Sequence, residues 1–405
     1  MQTFSKSFTQ QEPIPDSAIE AAVAVMRSGR LHRYNLAEGE RGETALLEQE
    51  FADSLGAAYC LACASGGYAM QIALRAAGLQ SGDKVLCNAF TLSPVPGSIH
   101  GVGGVPVLVD IKDDTTVDID DLRLAAKESG ARFFLLSHMR GHIGDMEAIV
   151  EICNDLGIIL IEDCAHTMGA SWKGRPSGTF GKVGCFSTQT YKHLNSGEGG
   201  LLTTDDPEIM RRAVILSGSY MLFDRHLAAP AADSFGDVRL QTPNCSGRMD
   251  NLRAAVLRPQ LAELAERRER WNRLYRVLEE GFGQAESIVL IPRPPEEDFV
   301  GSSIQFRLPD LPRDRIEAFI SGCERRNIPL KWYGRYEPED YTSRYDSWRY
   351  LGNTRRVPNT EKVLASLCDL RIPLTFNESD CAEIVQLVSE SLKESDKSDM
   401  ANKER

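Results

Sequence analysis

Apolar and polar residues alternate with two different periods along the first two thirds of the chain. Apolar residues at helical spacing predict helices, and short apolar runs predict strands. The predicted helices cover residues 43–55, 67–79, 120–129 and 145–156, and the predicted strands cover 58–64, 84–87, 105–109, 132–137 and 158–162. The last of these is a short apolar run, which is typical of a strand buried on both faces. The alternation predicts an α/β fold with a mostly parallel sheet flanked by helices.

The pattern changes after about residue 250. The predicted elements are a long helix at 250–281, short strands at 302–308, a helix at 313–326, an aromatic and polar stretch at 332–350 and a closing helix at 378–393. They indicate a smaller C-terminal α+β domain. We therefore predict an N-terminal segment (1–40) that packs with the small domain, a large domain (41–255) and the small domain itself (256–393). A charged, disordered tail (394–405) is predicted to follow.

Composition and charge argue against some classes of function. The 405-residue chain carries a formal net charge of −12, and its pI is about 5.2. An acidic surface argues against nucleic acid or an anionic membrane as the main partner, although a local basic pocket could still bind an anionic substrate. Residues 1–20 lack the apolar stretch of a secretory signal. No segment approaches the roughly 18–20 apolar residues of a membrane span, so we expect a cytoplasmic protein.

Two pairs of residues have spacings that metal or redox sites also use. Cys60 and Cys63 form a C-x-x-C pair, but they stand in a predicted buried strand and no second pair of this kind follows. His138 and His142 are four residues apart, but Gly141 lies between them. We therefore predict structural roles without a metal for these residues. The cysteines are expected to be reduced and to behave as small hydrophobic residues.

A single lysine stands in an unusual polar and glycine-rich segment. In the sequence FSTQTYKHLNSGEGG at 186–200, Lys192 lies among hydroxyl and amide side chains and precedes three glycines within four positions. Glycines let the backbone approach a ligand closely. A lysine shielded from water can lose its proton and attack a carbonyl. The segment alone is equally compatible with a surface lysine beside a glycine turn.

A carboxylate follows the predicted strand 158–162 directly. Asp163 lies in the sequence IEDCAH at 161–166, and catalytic side chains of parallel sheets lie at the carboxyl ends of strands. A buried carboxylate is costly unless it meets a cation. A protonated pyridine nitrogen is such a cation, and the contact would keep the ring an electron sink. Asp163 could equally be the N-cap of a following helix.

A glycine pair connects a predicted strand to a predicted helix. The sequence ASGGYAM at 64–70 places Gly66 and Gly67 at the expected start of the helix, where free backbone amides bind phosphate. The same pair also suits an ordinary strand-to-helix turn. By itself it is weak evidence for a binding site.

Together, these three segments resemble a known family. In this order they are similar to the pyridoxal-phosphate (PLP)-dependent sugar aminotransferases of the DegT/StrS family. That family's pattern is S-G-T-x-A-L, E-D-x-A-[HQ], F-S-F-x-x-x-K with G-E-G-G, and N-Y-R-M; the chain reads SGGYAM, EDCAH, FSTQTYK with GEGG, and SGRM. The similarity spans about residues 15–390 and includes GHIGDM at 141–146 and RIPL at 371–374. It implies a fold-type-I aminotransferase with a mostly parallel, seven-stranded sheet and PLP as the cofactor.

The resemblance also implies roles for individual residues. Lys192 would carry PLP as a Schiff base, Asp163 would face the pyridine nitrogen, and His166 would lie beside the ring hydroxyl. The phosphate would be bound by one hydroxyl group and by the backbone amides of the glycine turn, at Ser187, Gly66, Gly67 and Tyr68.

Two cofactor positions depart from the family's pattern. Gly67 stands where the family usually has threonine, so one hydroxyl contact to the phosphate is missing. Leu92 stands where an aromatic residue usually covers the pyridine ring. Leu92 would then cover the ring, or Phe90 would substitute. The departures leave the cofactor assignment standing and allow a less usual acceptor.

A third departure concerns assembly. The family's N-Y-R-M segment contacts the cofactor phosphate of the partner subunit, and here Ser246 replaces its asparagine and Gly247 its tyrosine. The resemblance implies a homodimer with shared active sites. Ser246, or the neighbouring Asn244, would reach the phosphate, and Arg248 would either anchor the loop or meet an anionic group.

The implied activity is transamination in two halves. An amino acid, glutamate or glutamine, would donate its amino group, and a keto sugar, often nucleotide-linked, or a cyclitol ketone would accept it. Lys192 would also move a proton between the donor carbon and the cofactor. The alternatives are an aminotransferase for a non-sugar ketone, a PLP enzyme of another class such as a sugar dehydratase, and a non-catalytic regulatory protein. Related dehydratases carry histidine in place of the lysine, and an intact Lys192 and Asp163 argue against a non-catalytic protein.

Overall fold

The computed structural model describes residues 1–337, 344–352 and 354–403. Its helices are α1 (Asp16–Ser28), α2 (Glu43–Leu55), α3 (Gly66–Ala76), α4 (Pro94–Gly101), α5 (Ile119–Ser129), α6 (Met146–Leu156), α7 (Pro207–Ser217), α8 (Val238–Gln241), α9 (Asn251–Ala262), α10 (Leu264–Phe282), α11 (Arg313–Arg325), α12 (Pro358–Leu364) and α13 (Glu378–Lys403). None of the helices in these ranges has the length and apolar character needed to cross a bilayer.

The strands form one large sheet and two small ones. They are β1 (Tyr59–Cys63), β2 (Lys84–Asn88), β3 (Val105–Val109), β4 (Phe133–Ser137), β5 (Ile159–Asp163), β6 (Ser171–Trp172), β7 (Arg175–Pro176), β8 (Val183–Ser187), β9 (Gly200–Thr204), β10 (Val289–Leu290), β11 (Glu297–Asp298), β12 (Ser303–Arg307), β13 (Lys331–Trp332) and β14 (Leu367–Arg371). The large sheet has seven strands in the order β1-β9-β8-β5-β4-β2-β3. Only β9 runs antiparallel to its neighbours, which confirms the predicted mostly parallel α/β fold.

Helices cover both faces of the large sheet. Along β4, Phe134 and Leu136 pack into one hydrophobic cluster with α5 and α6, whereas Phe133 and Leu135 pack into another with α3 and α7. Successive strand side chains point to opposite faces, so an apolar strand of this kind is buried on both. Polar side chains that follow such strands collect at the carboxyl edge of the sheet.

The small domain has an antiparallel sheet in the order β10-β12-β14-β13. Helices α10, α11 and α13 pack on it, and its core joins that of one face of the large sheet. The first residues of the chain contact this domain: Phe4 lies edge-on to Phe376 at 5.2 Å, and Lys6 pairs with Asp380. Arg33, by contrast, pairs with Glu48 of α2, so the segment 1–40 contacts both domains.

The predicted bounds of two helices differ from the observed ones. The helix expected over 250–281 is two helices, α9 and α10, with Glu263 between them. Pro259 lies within α9 and cannot donate the usual helical hydrogen bond. The two helices also pack against different elements. Helix α9 packs against α1 and α2, whereas α10 packs against α13 and β12.

The tail expected to be disordered over 394–405 continues α13 through Lys403, and residues 404–405 lie outside the described part. Ser395 is buried and Glu394 pairs with Arg326, so packing of the helix extends past the predicted end. The segment also lacks glycine and proline, and its charged residues are compatible with a helix. The aromatic stretch predicted at 332–350 lies partly outside the described residues.

Candidate active site

A cavity of about 440 Å³ lies between the two domains at the carboxyl edge of the large sheet. The turn after β1, the turn after β2 and the segments that follow β4, β5 and β8 form the side toward the large domain. The ends of β12 and β14 form the side toward the small domain. Of the predicted residues, Gly66, Gly67, Leu92, His166, Ser187 and Lys192 line the cavity.

Lys192 lies on the loop that follows β8 and is mostly shielded from solvent. Its Nζ atom is 2.8 Å from Nε2 of His166. Loss of solvation, with help from the positive charges of Arg140 and Arg371, lowers the pKa of Lys192 from 10.5 to about 7, although Asp163 opposes the shift. A substantial fraction of the amine is therefore neutral near pH 7 and able to act as a nucleophile or a base.

Asp163 is the last residue of β5 and is 8% exposed. Its Oδ2 atom accepts a hydrogen bond from the hydroxyl of Ser137 at 2.9 Å, and its Oδ1 atom accepts one from the amide of Ala165 at 3.1 Å. The following residues form turns rather than an α-helix, so the N-cap alternative does not hold. The carboxylate is held rigidly at the strand end.

His166 completes the group around the lysine. Burial, and then the positive charges of Lys192 and Arg140, lower the pKa of His166 well below its ordinary value. The imidazole is therefore neutral at physiological pH. Its contact with Lys192 is a hydrogen bond between two nitrogens, which fixes the direction of the amine.

The glycine turn begins α3, as predicted. Ser65 is the N-cap, and its Oγ atom accepts a hydrogen bond from the amide of Tyr68 at 3.1 Å. A Cβ atom on Gly66 would lie 2.8 Å from Cβ of Ser187, so only glycine allows this close approach. The first amides of a helix have no partner within the helix. Gly66, Gly67 and Ser187 all line the cavity, whereas Tyr68 is outside the lining.

The structure decides which residue of the turn after β2 faces the cavity. Leu92 lines it. Phe90 is fully buried and packs edge-on against Tyr333, with ring centroids 5.1 Å apart. Leu92 is therefore the side chain available to contact a ring bound there.

Ser246 and Asn244 lie away from the cavity of their own chain. Both are exposed on the loop before α9. The Oγ atom of Ser246 accepts a hydrogen bond from Arg248 at 2.9 Å, and Arg248 also donates to the carbonyl of Gly218 at 2.7 Å. Arg248 thus anchors this loop.

Gly247 and Tyr68 fit each other closely. A Cβ atom on Gly247 would lie 1.9 Å from Cε1 of Tyr68. The Tyr68 ring therefore fills the space that a side chain at Gly247 would need. Glycine at position 247 therefore leaves the room that the Tyr68 ring occupies.

The two histidines with possible metal spacing contact different partners. His138 lies 3.1 Å from Oε2 of Glu162, and His142 lies 2.7 Å from Oε1 of Gln305. Glu162, His138 and Cys164 form a buried group, but the Glu162 carboxylate also accepts backbone hydrogen bonds from residues 178, 180 and 181. It ties the loop before β8 to β5, which is a structural role. Cys60 and Cys63 are buried in β1 with free thiols.

Sequence reasoning missed two arginines of the cavity. Arg140 and Arg371 both line it. Arg140 directly precedes the GHIGDM motif and Arg371 opens the RIPL motif. Both motifs contributed to the resemblance to a family and did not by themselves indicate a site. The sequence around the two arginines does not show which way their side chains point.

Similar proteins support an aminotransferase identity. The chain is 34% identical over 265 residues to L-glutamine:2-deoxy-scyllo-inosose aminotransferase from Streptomyces kanamyceticus, covering 64% of this chain and 60% of that protein. It is 31% identical over 337 residues to 3-amino-5-hydroxybenzoate synthase from Amycolatopsis mediterranei (strain S699), covering 79% and 82%. Alignments with the first four curated relatives cover only 42–60% of those proteins.

The fold is also that of solved aminotransferases. The S. venezuelae protein DesV, solved in complex with a ketimine intermediate, superposes with a TM-score of 0.78 at 25% identity, covering 94% of this chain and 98% of that one. The large sheet and its helices are those of fold-type-I aminotransferases. The profile of the DegT/DnrJ/EryC1/StrS aminotransferase family, for which PLP is characteristic, matches residues 14–389. The chain belongs to the DegT/DnrJ/EryC1/StrS aminotransferase family.

Proposed function

We propose that the protein is a PLP-dependent aminotransferase that moves the amino group of an amino acid onto the keto group of a cyclitol or sugar. The observation that carries this proposal is the environment of Lys192. Its amine has a pKa of about 7 and contacts His166 in a cavity at the carboxyl edge of a parallel sheet. An ordinary surface lysine would be charged and solvated.

The residues of the cavity fit PLP. The free amides of Gly66 and Gly67 and the hydroxyl of Ser187 suit a phosphate group, because a helix N-terminus favours an anion. The carboxylate of Asp163 suits a protonated ring nitrogen, and Leu92 offers an apolar surface for the ring. A Cβ atom on Gly66 would lie 2.8 Å from Cβ of Ser187, and the close packing that glycine permits supports a backbone cradle at this point.

Lys192 then has two tasks. When bound, PLP supplies an electron sink for the carbon that carries the amino group. Lys192 would hold the cofactor covalently through Nζ. When it is free, the same neutral amine would act as the base that takes the proton from the donor carbon and returns it during the reaction. The neutral His166 imidazole, at 2.8 Å, orients Nζ during this transfer.

Asp163 would keep the bound cofactor in its reactive protonation state. A carboxylate beside the ring nitrogen favours the protonated, electron-withdrawing ring. The hydrogen bonds from Ser137 and Ala165 hold both oxygens of Asp163 in position, so the carboxylate requires little rearrangement when the cofactor binds.

The names of the relatives suggest the donor and the class of acceptor. The S. kanamyceticus protein is named for L-glutamine and 2-deoxy-scyllo-inosose, so we propose glutamine, or glutamate, as the donor and a keto cyclitol or keto sugar as the acceptor. The A. mediterranei relative is named for an aminobenzoate product, and a ring ketone outside the sugars is the second candidate acceptor.

We also propose a homodimer in which each subunit completes the partner's site. Ser246 and Asn244 are exposed and lie outside the cavity of their own chain. Tyr220, Met221 and Leu240, which are 59%, 58% and 71% exposed, belong to the same region of the chain. Exposed apolar residues of this kind often mark a protein interface.

Two half-reactions measured separately test the function. The protein is loaded with PLP, and L-glutamine or L-glutamate is added while the absorbance of the cofactor is recorded. We expect stoichiometric conversion to the amine form of the cofactor, which keto cyclitols and keto sugars then reverse. A dehydratase or a regulatory protein would not convert the cofactor stoichiometrically. Lys192→Ala should abolish conversion and Lys182→Ala, at an exposed lysine, should not; failure of both donors in the wild-type protein would contradict the proposal.

A further inference from the structure

One side-chain contact joins the loop that carries Lys192 to the small domain. His193 follows Lys192 directly and is only 2% exposed. Its Nε2 atom lies 3.1 Å from the hydroxyl oxygen of Ser302. Ser302 lines the cavity and directly precedes β12. The chemistry proposed for Lys192, Asp163 and His166 makes no use of this pair, so its role at the cavity has to be found separately.

The imidazole of His193 is fixed in place and neutral. It packs edge-on against Trp271 of α10, with ring centroids 5.2 Å apart, and the indole of Trp271 donates to the carbonyl of Ile372 at 2.9 Å. Burial, and then the positive charge of Lys192, lower the pKa of His193 to about 3. At physiological pH one ring nitrogen therefore carries a proton, and the other accepts a hydrogen bond.

The surroundings of Nδ1 indicate which nitrogen of His193 carries the proton. This atom is shielded from solvent, and within the part of the chain that the structure describes no partner meets it at full hydrogen-bonding geometry. The backbone of Met168 favours a proton on the ring, as a carbonyl does when an N–H group points toward it. With the proton on Nδ1, Nε2 is the acceptor, and the hydroxyl of Ser302 donates to it.

Ser302 is held in place through its backbone. Its amide donates to the carbonyl of Val300, and its carbonyl accepts a hydrogen bond from the amide of Ile372, both at 2.9 Å. The amide of the preceding residue, Gly301, donates to the side chain of Asn272 on α10 at 2.7 Å. This fixed backbone and the contact with the imidazole together define the direction of the hydroxyl group.

A serine hydroxyl has one hydrogen to donate and lone pairs that accept. Because its hydrogen is directed to His193, the oxygen of Ser302 acts toward a ligand only as an acceptor. We propose that Ser302, oriented by His193, accepts a hydrogen bond from a hydroxyl group on the ring of the keto acceptor. The assignment to the acceptor rests on the proposed function, since L-glutamine and L-glutamate carry no alcohol group. Ser302 is then a specificity-determining residue and His193 a positioning residue.

Binding without turnover tests this site directly. The probe is scyllo-inositol, a cyclitol with ring hydroxyls and no keto group, titrated calorimetrically into the protein loaded with pyridoxamine phosphate. We expect its affinity to fall roughly 3- to 10-fold in Ser302→Ala, the scale of a neutral hydrogen bond. Ser379→Ala, at an exposed serine of α13, should bind as the wild type does. No binding to the wild type, or equal affinities in the wild type and Ser302→Ala, would overturn the proposal.

Simple ring ketones test the direction of the hydrogen bond. The amine form of the protein is mixed with each monohydroxy derivative of cyclohexanone and with the matching methoxy ether, which cannot donate a hydrogen bond. We expect the wild type to show a higher kcat/KM for at least one hydroxy derivative than for its ether, and Ser302→Ala to lose this difference. A preference for the ethers, or a hydroxyl preference that Ser302→Ala retains, would contradict the assignment of Ser302 as an acceptor.

Two variants of His193 test its positioning role. His193→Phe removes the acceptor atom and keeps a ring of similar shape, whereas the amide oxygen of His193→Gln can still accept from Ser302. We expect the hydroxyl preference to disappear in His193→Phe and to remain in part in His193→Gln. A residue that served only the fold would lower the rates for all ketones alike and leave the preference unchanged, and this result would refute the positioning role.

The donor half-reaction separates this proposal from the proposed function. If Ser302→Ala raises the L-glutamine concentration needed for half-maximal conversion of PLP and the hydroxyl preference remains, Ser302 contacts the amide of the donor and the proposal is wrong. Transamination of cyclohexanone without any hydroxyl preference would leave the proposed function intact and refute the role of Ser302. Inositol binding that depends on Ser302 in a protein that fails to transaminate would refute the proposed function and leave the hydroxyl site intact.

Discussion

Single residues at the carboxyl edge of the sheet carry the proposed chemistry. Lys192, Asp163 and His166 could be predicted from sequence because they stand in short motifs, two of them directly after the predicted strand 158–162. Arg140 and Arg371 could not, because their direction depends on contacts with Asp369 and Tyr191, which are distant in sequence. Local motifs indicate the residues that act on a cofactor, whereas the tertiary fold decides which residues face the substrate.

The pKa of Lys192 predicts how the cofactor-free protein captures PLP. A protonated amine cannot attack an aldehyde, and the pKa is about 7. Below that value, the rate of covalent capture should rise about tenfold per pH unit, and it should level off above it. Stopped-flow absorbance from pH 5 to 9, with buffers that keep PLP itself in one ionic form or correct for its titration, measures this. A rate that still rises tenfold per unit between pH 8 and 9 would indicate an ordinary lysine.

Asp163→Asn tests the partner of the ring nitrogen. Asparagine keeps an oxygen for one of the two hydrogen bonds that Asp163 accepts, so the fold should remain. The neutral side chain no longer favours the protonated ring, and we expect the rate of the donor half-reaction to fall roughly 100-fold or more. Ser137→Ala, which removes only the hydrogen bond to the carboxylate, should have a smaller effect. Wild-type rates in Asp163→Asn would show that another group meets the ring.

At the scale of secondary structure, five of the seven strands of the large sheet were predictable, and so were the helices between them. Apolar runs such as 132–137 and 158–162 correspond to β4 and β5 within one residue at each end. Strands β8 and β9 were not predicted, because glycines and polar residues interrupt their pattern. The break at Glu263 and the extension of α13 depend on packing between elements that are distant in sequence, which local periodicity does not contain.

One buried ion pair attaches the N-terminal segment to α2. Arg33 donates two hydrogen bonds to Glu48, at 2.8 and 2.9 Å, and His226 lies 3.4 Å from the same carboxylate. Burial alone would raise the pKa of Glu48, but Arg33 and His226 outweigh it and lower the pKa from 4.5 to about 2. Burial, and then the charge of Arg33, lower the pKa of His226 below its ordinary value, although Glu48 opposes the shift.

These shifts predict that the protein loses stability in acid. A carboxyl whose pKa is lowered on folding stabilises the protein above its unfolded value of 4.5 and loses that contribution as the pH falls to about 2. His226 adds a loss that begins below pH 6.5, its ordinary pKa. Glu48→Gln should lower the free energy of unfolding at pH 7 by about 3–5 kcal/mol, because Arg33 stays buried without a counter-charge. Denaturant unfolding at pH 7, 5 and 3 measures both effects.

The matched control for this prediction lies on the same helix. Glu50 pairs with Arg258, and the two side chains are 39% and 27% exposed. Solvent screens such a pair, so Glu50→Gln should cost less than Glu48→Gln. Equal costs for the two variants, or a wild-type stability that is the same at pH 3 and pH 7, would contradict the assigned role of Glu48.

At the scale of the whole molecule, the proposed active site needs two chains. The cavity lies between the domains of one subunit, while the exposed Ser246 and Asn244 belong to a loop anchored by Arg248. The resemblance to the family predicted this division of the site. We expect a dimer or larger assembly in sedimentation at micromolar concentration.

Hybrid dimers test the shared site. Lys192→Ala chains are mixed with chains that carry Ser246→Ala and Asn244→Ala, under conditions that allow subunits to exchange. Half of the dimers formed at random are hybrids and one of their two sites carries neither lesion, so about a quarter of the wild-type activity should return. No recovery from two inactive parents, or an active monomer, would contradict shared sites. If the Ser246 and Asn244 lesions leave activity intact, only the assigned contact is wrong.

The most direct test of the account is to identify the residue that holds the cofactor. The PLP-loaded protein is reduced with sodium borohydride, which converts the carbon–nitrogen double bond to a stable amine, then digested and analysed by mass spectrometry. The account predicts one modified site, Lys192, with Lys182 unmodified and with no modification in the Lys192→Ala protein. Modification of a different lysine, or none at all after PLP binding, would contradict the assignment of Lys192 as the cofactor-bearing residue.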